Sequence, residues 1–403
     1  MSLPLLAGIR VLDLGRFIAA PYAAQLLADL GAEVVRVERP QPEPDRQRGP
    51  YHQGASLYFV TLNRHKKSVA FEMFSEAGRQ LLDQLLARAD VLVQNYAPRT
   101  ARALGLSGER LLALNPRLVV LSITGYGPTG PDAKRVAFDG LAQARSGAMA
   151  CNGTDQPYLN HLPYVDFSTA LYGCFGVMAA LYERQRTGKG QVVEVSLMET
   201  VSAFIGAYGM IAEVACGGPP RQRQGNALVY ALGDCVRAGD GEYVLFNCIG
   251  DGMFKRLCAL LDRPELAADP RFASDAARYA HRDALLPLVA SWAAARTTPE
   301  ILAAAERFRL PFERVSTVAD LAGDAHMQAR SMFPRLAQPG LGEVPVARLG
   351  MTLSAHPHPE LRPAPAIGEH NEEVLTAWLG YSPAQIEALR RQGVLPPQPA
   401  PDS

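Results

Sequence analysis

The chain has 403 residues, 48% of them hydrophobic and 20% charged, a balance typical of a globular protein of two or three domains. Its 40 basic and 40 acidic residues cancel without long runs of one sign, which argues against nucleic acid or a membrane surface as a partner. Six dispersed cysteines without a C-x-x-C pair predict reduced thiols, with neither disulfides nor a zinc site. No basic segment opens the chain, so we expect a cytoplasmic protein.

The first 125 residues alternate between strand and helix signals. Short β-branched runs predict strands, and apolar residues at helical spacing predict the helices between them. Strands are expected at Ile9–Leu14, Glu33–Glu38, Asp90–Gln94 and Leu118–Thr124, and helices from Pro21 to a stop at Gly31, over Glu76–Arg88 and around Leu111. Such alternation predicts β-α-β units, a mostly parallel sheet and an α/β fold.

Four segments follow the predicted strands and fall at their carboxyl ends. They are Arg16–Ala20, the chain from Arg39 onward, Asn95–Arg99 and Gly125–Gly130. Ligands of open α/β sheets bind at this edge, so we expect the functional site there.

The rest of the chain predicts a second domain and a return to the first. An apolar region reaches residue 218, and its longest uncharged run, Phe167 to Tyr182, is too short to span a bilayer comfortably. Beyond Gly217-Gly218-Pro219-Pro220, residues 226–325 carry a strand at Tyr243–Asn247 and helices of their own. We therefore predict a large domain over 1–220, a small domain over 226–325 and a C-terminal part, 326–403, that ends in a disordered proline-rich tail.

Two motifs suggest chemistry that their context does not favour. Gly125-Tyr126-Gly127-Pro128-Thr129-Gly130 matches G-x-G-x-x-G, but Pro131 and a polar stretch follow where a dinucleotide site needs a helix. A glycine-rich turn is therefore the better interpretation. His356-Pro357-His358 could suggest a metal, yet prolines hold the segment extended and no third ligand is near, so we predict a surface loop and no metal site.

Asp166 lies directly before the long apolar helix, in Tyr164-Val165-Asp166-Phe167. An aspartate in this place is most often a helix N-cap that accepts backbone N–H bonds. The functional alternative is a nucleophile, because a carboxylate at a helix N-terminus stays ionised and nearby N–H groups stabilise developing charge. The sequence pattern alone leaves both interpretations open.

Several segments together resemble the class III CoA-transferases, a family that also includes α-methylacyl-CoA racemases. The matching segments, in chain order, are Gly8–Leu14, Ala20-Pro21, Leu26–Glu38, Leu62–Ser68, Ala89–Tyr96, Asn115-Pro116, Gly125–Gly127, Arg186–Gln191, Asp269–Phe272 and Ile367–His370. The resemblance covers nearly the whole chain. It implies a large Rossmann-like domain formed from both ends of the chain, a smaller inserted α+β domain, and an interlocked homodimer.

The resemblance also implies a chemistry and a set of site residues. CoA would move from an acyl-CoA to a carboxylic acid through covalent intermediates on Asp166, with no tightly bound cofactor. The expected CoA contacts are Phe17, Ile18, Ala19, Arg39, Asn63, Arg64, His65, Lys66, Asn95 and Tyr96. Arg39 and Lys66 would supply cations for the CoA phosphates.

This chain departs from the family pattern at four places, among them Pro44-Asp45 after the second strand and a flap reduced to Gly250-Asp251-Gly252. The other two concern expected site residues. The cation expected after Asn95-Tyr96 falls on Ala103, so Arg102 or Arg99 would have to replace it. The cation, aromatic residue and acid of the third loop are offset, as Arg135, Phe138 and Asp139. The resemblance implies that these three residues and Arg102 also contact CoA.

Two other functions compete with transfer. A racemase of the same fold needs a histidine opposite the aspartate, and Phe138 occupies that position, with His161 nearer to Asp166 along the chain. A CoA-binding protein without turnover is the second, and the intact Asp166 argues against it.

Overall fold

The computed structural model describes residues 4–356 and 358–397, which form two compact units. The larger unit comprises residues 4–149, 159–220 and 328–397, and the smaller comprises 150–158 and 221–327. The region 226–325 falls within the smaller unit, and the segment 150–158, which no compositional change marks, joins it there. The proline-rich tail after residue 397 and Pro357 of the His-Pro-His segment lie outside the described residues.

The larger unit alternates strands and helices over its first 215 residues. Its strands are Arg10–Leu14 (β1), Glu33–Glu38 (β2), Tyr51–His52 (β3), Ala55–Ser56 (β4), Lys67–Ala70 (β5), Val91–Gln94 (β6), Val119–Thr124 (β7) and Val192–Ser196 (β8). Its helices are Ala19–Asp29 (α1), Leu57–Asn63 (α2), Glu76–Leu86 (α3), Pro98–Ala103 (α4), Gly108–Leu114 (α5), Asp139–Ser146 (α6), Tyr164–Thr187 (α7), Leu197–Ala207 (α8) and Met210–Ala215 (α9).

The central sheet has six parallel strands in the order β5-β2-β1-β6-β7-β8. This confirms the predicted α/β fold with a parallel sheet. The order reverses direction at β1, where the chain leaves one half of the sheet for the other, and such a switch point opens a crevice at the carboxyl ends of the strands. The sequence did not reveal β5, because its four residues begin with a lysine and follow a polar turn.

Two hydrophobic clusters cover the two faces of this sheet. Because successive strand residues point to opposite faces, Leu12 belongs to the cluster under α3 and α5, whereas Val11 belongs to the cluster under α1 and α7. The sheet is therefore buried on both sides, as expected for parallel strands.

Helix α7 is unusually long and apolar. Among the described residues it is the one helix whose length, 24 residues, and composition would allow it to cross a membrane. It contacts α1, β7 and β8, and Ala170, Cys174 and Val177 contribute to the second hydrophobic cluster. These contacts make it a core helix of the larger unit.

The smaller unit has its own antiparallel sheet and core. Its strands Leu232–Arg237 (β9), Tyr243–Cys248 (β10) and Phe312–Arg314 (β11) pair in the order β11-β10-β9. Its helices are Asp251–Leu260 (α10), Asp275–Ala280 (α11), Arg282–Ala294 (α12), Thr298–Phe308 (α13) and Val318–Ala322 (α14). They enclose a separate hydrophobic cluster that includes Phe246, Phe254 and Val289, so this unit is α+β.

The chain then continues into the larger unit. The remaining elements are Ala325–Ala329 (α15), Arg335–Gln338 (β12), Gly342–Pro345 (β13), Asn371–Leu379 (α16) and Pro383–Arg391 (α17). Leu375 and Trp378 of α16 and Ile386 of α17 pack in the same cluster as Leu12 of β1. The larger unit is thus built from both ends of the described chain. Helix α17 escaped prediction because Ile386 is its one buried residue.

Candidate active site

The loops that follow β1, β6 and β7 meet at the carboxyl edge of the sheet, because these three strands are parallel neighbours. A cavity of about 300 Å³ opens between them. The residues expected from the sequence that line it are Phe17, Ile18, Ala19, Asn95, Tyr96, Arg135, Phe138 and Asp166. The structure therefore brings together residues that are up to 149 positions apart in the sequence.

A second cavity of about 280 Å³ adjoins the first, and the two share Arg16, Phe17 and Tyr96 in their linings. Arg39 lies in this second cavity, where its side chain is 44% exposed and its Nε is 3.4 Å from Oε1 of Glu43. A ligand longer than one cavity can therefore extend from Asp166 towards the Arg39 guanidinium.

The loop after β1 is held by the loop after β6. The Arg16 N–H donates to Oδ1 of Asn95 at 2.8 Å, and Nδ2 of Asn95 donates to the Arg16 carbonyl at 2.8 Å. The Arg16 guanidinium donates to the Tyr96 hydroxyl at 2.6 Å and to Glu43 at 2.9 Å. Asn95 and Tyr96 thus fix the shape of the cavity wall in addition to lining it.

The apolar part of the wall is formed by Phe17 and Phe138, whose rings meet edge to face at 5.8 Å between centroids. Phe17 has φ +62°, a left-handed conformation that costs a non-glycine residue about 1–2 kcal/mol. Backbone strain of this kind is often found at functional sites, because the surrounding structure must hold it in place.

Gly125, the first glycine of the G-x-G-x-x-G match, allows a close approach of two loops. A Cβ on this residue would lie 2.1 Å from Cβ of Ala137, so only glycine fits. The next helix after β7 is α6, which begins at Asp139, well beyond the motif. The segment is therefore a glycine-rich turn at the cavity wall, as the sequence favoured over a dinucleotide site.

Asp166 is the third residue of α7 and does not cap it, so the N-cap interpretation is wrong. The N-cap is Pro163, and the acceptor of the capping hydrogen bonds belongs to α6. Oδ2 of Asp139 accepts the N–H groups of Val165 at 2.8 Å and Asp166 at 3.0 Å. Among the described residues, no hydrogen bond to the Asp166 carboxylate meets the usual distance and angle limits, and this side chain faces the cavity.

The surroundings of Asp166 raise its pKa to about 7 from the ordinary 3.8. Burial is the largest cause, and the negative charge of Asp139 adds to it, whereas the positive charge of Arg48 opposes it. Both the protonated and the ionised form are therefore present near neutral pH, and no hydrogen bond within the described residues weakens the ionised form as a nucleophile.

The structure does not place Lys66 at the cavity. Its ammonium is fully buried and donates to Asp13 at 2.8 Å, to the Pro21 carbonyl at 2.8 Å and to Oδ1 of Asn63 at 3.0 Å. Asn63 is also buried, and it donates to the Phe59 carbonyl. The polar atoms of Lys66 and Asn63 thus bind other groups inside the protein. This arrangement does not fit the contact with CoA phosphates expected of Lys66 or the CoA contact expected of Asn63.

Arg64, His65 and Arg102 also lie away from the cavity. The Arg64 guanidinium pairs with Asp29 at 2.6 Å, and Nε2 of His65 is 3.6 Å from the same carboxylate. Burial and nearby guanidinium groups lower the pKa of His65 to about 4, so the ring is neutral. Arg102 is exposed on α4 and lines neither cavity.

Three further cations lie near Asp166, and the sequence pattern indicated only Arg16 among them, as the first residue of a segment at this edge. Arg16 and Lys134 line the cavity, and the charge of Arg48 acts on the Asp166 carboxyl. Lys134 is exposed, and no ion pair to it occurs within the described residues. Arg16 lies two residues after β1, so its segment could be expected at the carboxyl edge of the sheet. Nothing local marks Arg48, because its segment comes near Asp166 only through the fold.

No histidine of the described residues lines the cavity, and Phe138, which stands where the resemblance implies the histidine of a racemase, is part of its wall. Within the same described residues, no group of three or more His, Cys, Asp or Glu side chains is arranged to hold a metal ion.

Comparisons with known proteins agree with this architecture. The sequence profile of CoA-transferase family III matches residues 6–371. A succinyl-CoA–D-citramalate CoA-transferase of Chloroflexus aurantiacus is 34% identical over 96% of this chain and 97% of its own. A formyl-CoA:oxalate CoA-transferase of Streptomyces avermitilis is 32% identical over 97% and 99%. The crystal structure of a CaiB/BaiF family protein from Brucella suis superimposes with a TM-score of 0.80 at 33% identity, over 93% of this chain and 99% of that one. The chain therefore belongs to CoA-transferase family III and is a CoA-transferase.

Proposed function

We propose that this protein transfers CoA from an acyl-CoA to a dicarboxylic acid through covalent intermediates on Asp166. The observation that carries the proposal is the position of the Asp166 carboxylate. It lies at the cavity, its pKa is near neutrality, and no hydrogen bond to it occurs within the described residues.

The exchange needs four displacements at carbonyl carbons. The Asp166 carboxylate attacks the donor thioester, the C–S bond breaks, and a mixed anhydride and CoA thiolate form. The thiolate attacks the aspartyl carbonyl, which releases the donor acid and leaves an aspartyl-CoA thioester. The acceptor carboxylate attacks that thioester to give a second anhydride and thiolate, and the thiolate then attacks the acceptor carbonyl, which frees Asp166. Every step exchanges one leaving group for another, so no redox partner is consumed.

The two adjoining cavities offer suitable surroundings for both ends of CoA. The pantetheine arm is apolar and amide-rich, and it fits a wall made of Phe17, Ile18 and Phe138. The nucleotide end carries phosphates, for which the exposed Arg39 guanidinium in the second cavity is a suitable partner.

A dicarboxylic acceptor is favoured by the relatives and by the charges near Asp166. The two relatives described above transfer CoA to D-citramalate and to oxalate, which both carry two carboxylates. One carboxylate of such an acid must react, and the other needs a cation. Lys134 lines the cavity and the charge of Arg48 acts on Asp166, and neither forms an ion pair with an acidic side chain within the described residues.

The test combines a substrate screen with one conservative variant. Succinyl-CoA is incubated with a panel of dicarboxylic and monocarboxylic acids, and new acyl-CoA products are identified by mass spectrometry. We expect transfer to dicarboxylic acids, and hydroxylamine added during turnover should convert Asp166 to its hydroxamate. Asp166→Asn should fold and bind CoA but transfer at least about a thousandfold more slowly, because an amide oxygen is a poor nucleophile. An active Asp166→Asn enzyme, shown free of deamidation, would refute the mechanism.

We further propose that the protein is a soluble, cytoplasmic homodimer, as the resemblance to the family implies. One face of α7 supports the dimer, because Leu171, Phe175 and Tyr182 recur at helical spacing with 54%, 75% and 66% of their surfaces exposed. Soluble monomers rarely leave such an apolar face uncovered. Light scattering should give the mass of two chains, and a stable monomer at micromolar concentration would contradict the proposal.

A further inference from the structure

The N-terminus of α7 is completed by residues of another helix. The first four N–H groups of a helix have no partner within the helix itself. In α7 the first of these positions is the N-cap Pro163, which has no N–H, and the Tyr164 N–H donates to the Leu162 carbonyl at 2.7 Å. The other two N–H groups, of Val165 and Asp166, donate to Asp139. The three donors that exist are therefore satisfied without the Asp166 side chain.

The sequence of α7 also prevents Asp166 from joining a capping box. In that motif the acid at the third helical position accepts the N–H of the N-cap residue. Here the N-cap is Pro163, and proline has no N–H. Two independent features, Pro163 before the helix and Asp139 beside it, thus deny the Asp166 carboxylate the backbone donors that it would ordinarily bind.

Asp139 is itself held in a buried network. It is 8% exposed and lies in the first turn of α6, and its Oδ1 accepts a hydrogen bond from Nε2 of Gln143, which is 2% exposed. Gln143 is fixed in turn by the backbone of Asn160, whose N–H donates to Oε1 at 3.1 Å and whose carbonyl accepts from Nε2 at 3.1 Å. Asp139 therefore cannot rotate away from α7 without breaking several hydrogen bonds.

We propose that Asp139 is a positioning residue of the transfer reaction, which occupies the N-terminal donors of α7 and leaves the Asp166 carboxylate free to attack, while Gln143 holds Asp139 in place. The inference rests on the proposed role of Asp166 as nucleophile. It assigns to Asp139 a role different from the contact with CoA that the resemblance implied.

The network has a physical consequence for reactivity. A carboxylate that accepts backbone N–H bonds is a weaker base and a weaker nucleophile, because those bonds stabilise its charge. Asp139 removes the nearest bonds and places a second negative charge next to the first. Both effects make the ionised Asp166 a better nucleophile, at the cost that more of it is protonated at neutral pH.

Other groups also act on the Asp166 carboxyl and must be considered in any test by pH. Arg48, from the segment before α2, opposes its protonation, and the Tyr58 phenol of α2 has its own pKa raised by burial and in part by Asp166. The remaining charged groups lining the cavity are Arg16, Lys134 and Arg135. None of these belongs to the network of Asp139 and Gln143, so substitution of Asp139 leaves them in place.

The decisive variant is Asp139→Asn, which retains an oxygen for the two N–H groups but removes the charge. Protein labelled with ¹³C at the aspartate carboxyl is titrated by NMR, and the Asp166 signal is assigned by its loss in Asp166→Asn. The wild-type midpoint should lie near pH 7. In Asp139→Asn it should fall by about one pH unit, the usual effect of removing one neighbouring charge. With succinyl-CoA as donor, the ratio of kcat/KM at pH 6 to that at pH 8 should rise from about one tenth to about one half.

The matched control is Glu76→Gln, which removes an exposed first-turn acid from α3 in the same unit and should change neither titration nor rate profile. Gln143→Leu removes the side chain that holds Asp139, so Asp139 can turn away from α7, and the Asp166 midpoint should again fall below that of wild type. This variant also replaces Asp139→Asn if the latter folds poorly. An unchanged Asp166 midpoint in both folded Asp139→Asn, which removes the charge, and folded Gln143→Leu, which frees the N–H groups, would overturn the positioning role. An active Asp166→Asn enzyme would instead overturn the nucleophile and leave the NMR result standing, so the two failures can be distinguished.

Discussion

Two stretches that the family resemblance marks as CoA contacts behave differently in the structure. The residues after β1 and β6, with Phe17 and Tyr96 as examples, line the cavity that contains Asp166. The end of α2 and the turn after it, with Asn63 and Lys66, are buried and direct these polar side chains into the protein. The difference shows that a matching segment can be needed for the shape of a site without touching the ligand.

The buried stretch supports the exposed one. Lys66 connects Asp13, at the end of β1, to the Pro21 carbonyl in the first turn of α1, so it spans the loop that carries Phe17. Oδ1 of Asp13 also accepts the Gly15 N–H at 2.7 Å. The loop at the cavity is therefore anchored from beneath by an ammonium group, and burial lowers the pKa of Lys66 to about 8 despite its paired carboxylate.

Among the substitutions that test this difference, replacement of Lys66 should change the free energy of unfolding most. Lys66→Ala leaves the fully buried Asp13 carboxylate without its cation, which should lower the free energy of unfolding by about 3–5 kcal/mol. The neighbouring Lys67 pairs with Glu33 and Glu373 in partly exposed ion pairs, so Lys67→Ala should cost no more than about 1 kcal/mol. Urea denaturation of both variants, followed by circular dichroism, measures the difference.

The opposite result would restore the predicted role of Lys66. If Lys66→Ala were as stable as Lys67→Ala but failed to bind CoA, its ammonium would have to reach the ligand, and the buried position described above could not be the binding-competent one.

The sequence predicted the sheet well because the pattern that forms it is local. Ile9–Leu14 and Glu33–Glu38 are β-branched runs bounded by turns, and the observed β1 and β2 agree with them within a residue. The carboxyl edge of the sheet could also be predicted as the place of the site, since the strand order follows from parallel connections. Strand β5 and helix α17 were missed because each has too few apolar residues to show a period.

The details of the site depended on contacts between distant segments, which a pattern cannot show. Asp166 has the position of an N-cap by sequence, but Asp139, 27 residues earlier, provides the cap. Lys66 looks like a phosphate ligand until Asp13, 53 residues away, is found beside it. In both cases the sequence identifies a polar residue that the fold needs, and only the packing tells which atoms it binds.

Arg39 offers the smaller and more specific test, on the cavity side of the comparison. Its side chain is partly exposed in the second cavity, and Glu43, its partner at 3.4 Å, keeps a shorter ion pair with Arg16 at 2.9 Å. Arg39→Ala therefore orphans no buried charge and should leave the unfolding free energy within about 0.5 kcal/mol of wild type. Loss of a charge-assisted hydrogen bond should weaken CoA binding by about 1.5–3 kcal/mol, roughly tenfold to a hundredfold.

Arg102→Ala is the matched control, because this arginine is exposed on α4 and lines neither cavity. Calorimetric titration with CoA should find its affinity unchanged while that of Arg39→Ala falls. Weaker binding by Arg102→Ala alone would show that the nucleotide end of CoA leaves the cavity past α4, where the sequence had placed a substitute for the cation missing at Ala103. We expect Arg39→Ala to lower the affinity for CoA without changing the free energy of unfolding, and Lys66→Ala to lower mainly the free energy of unfolding. That pair of results would establish that Arg39 binds the ligand and that Lys66 holds the binding loop in place.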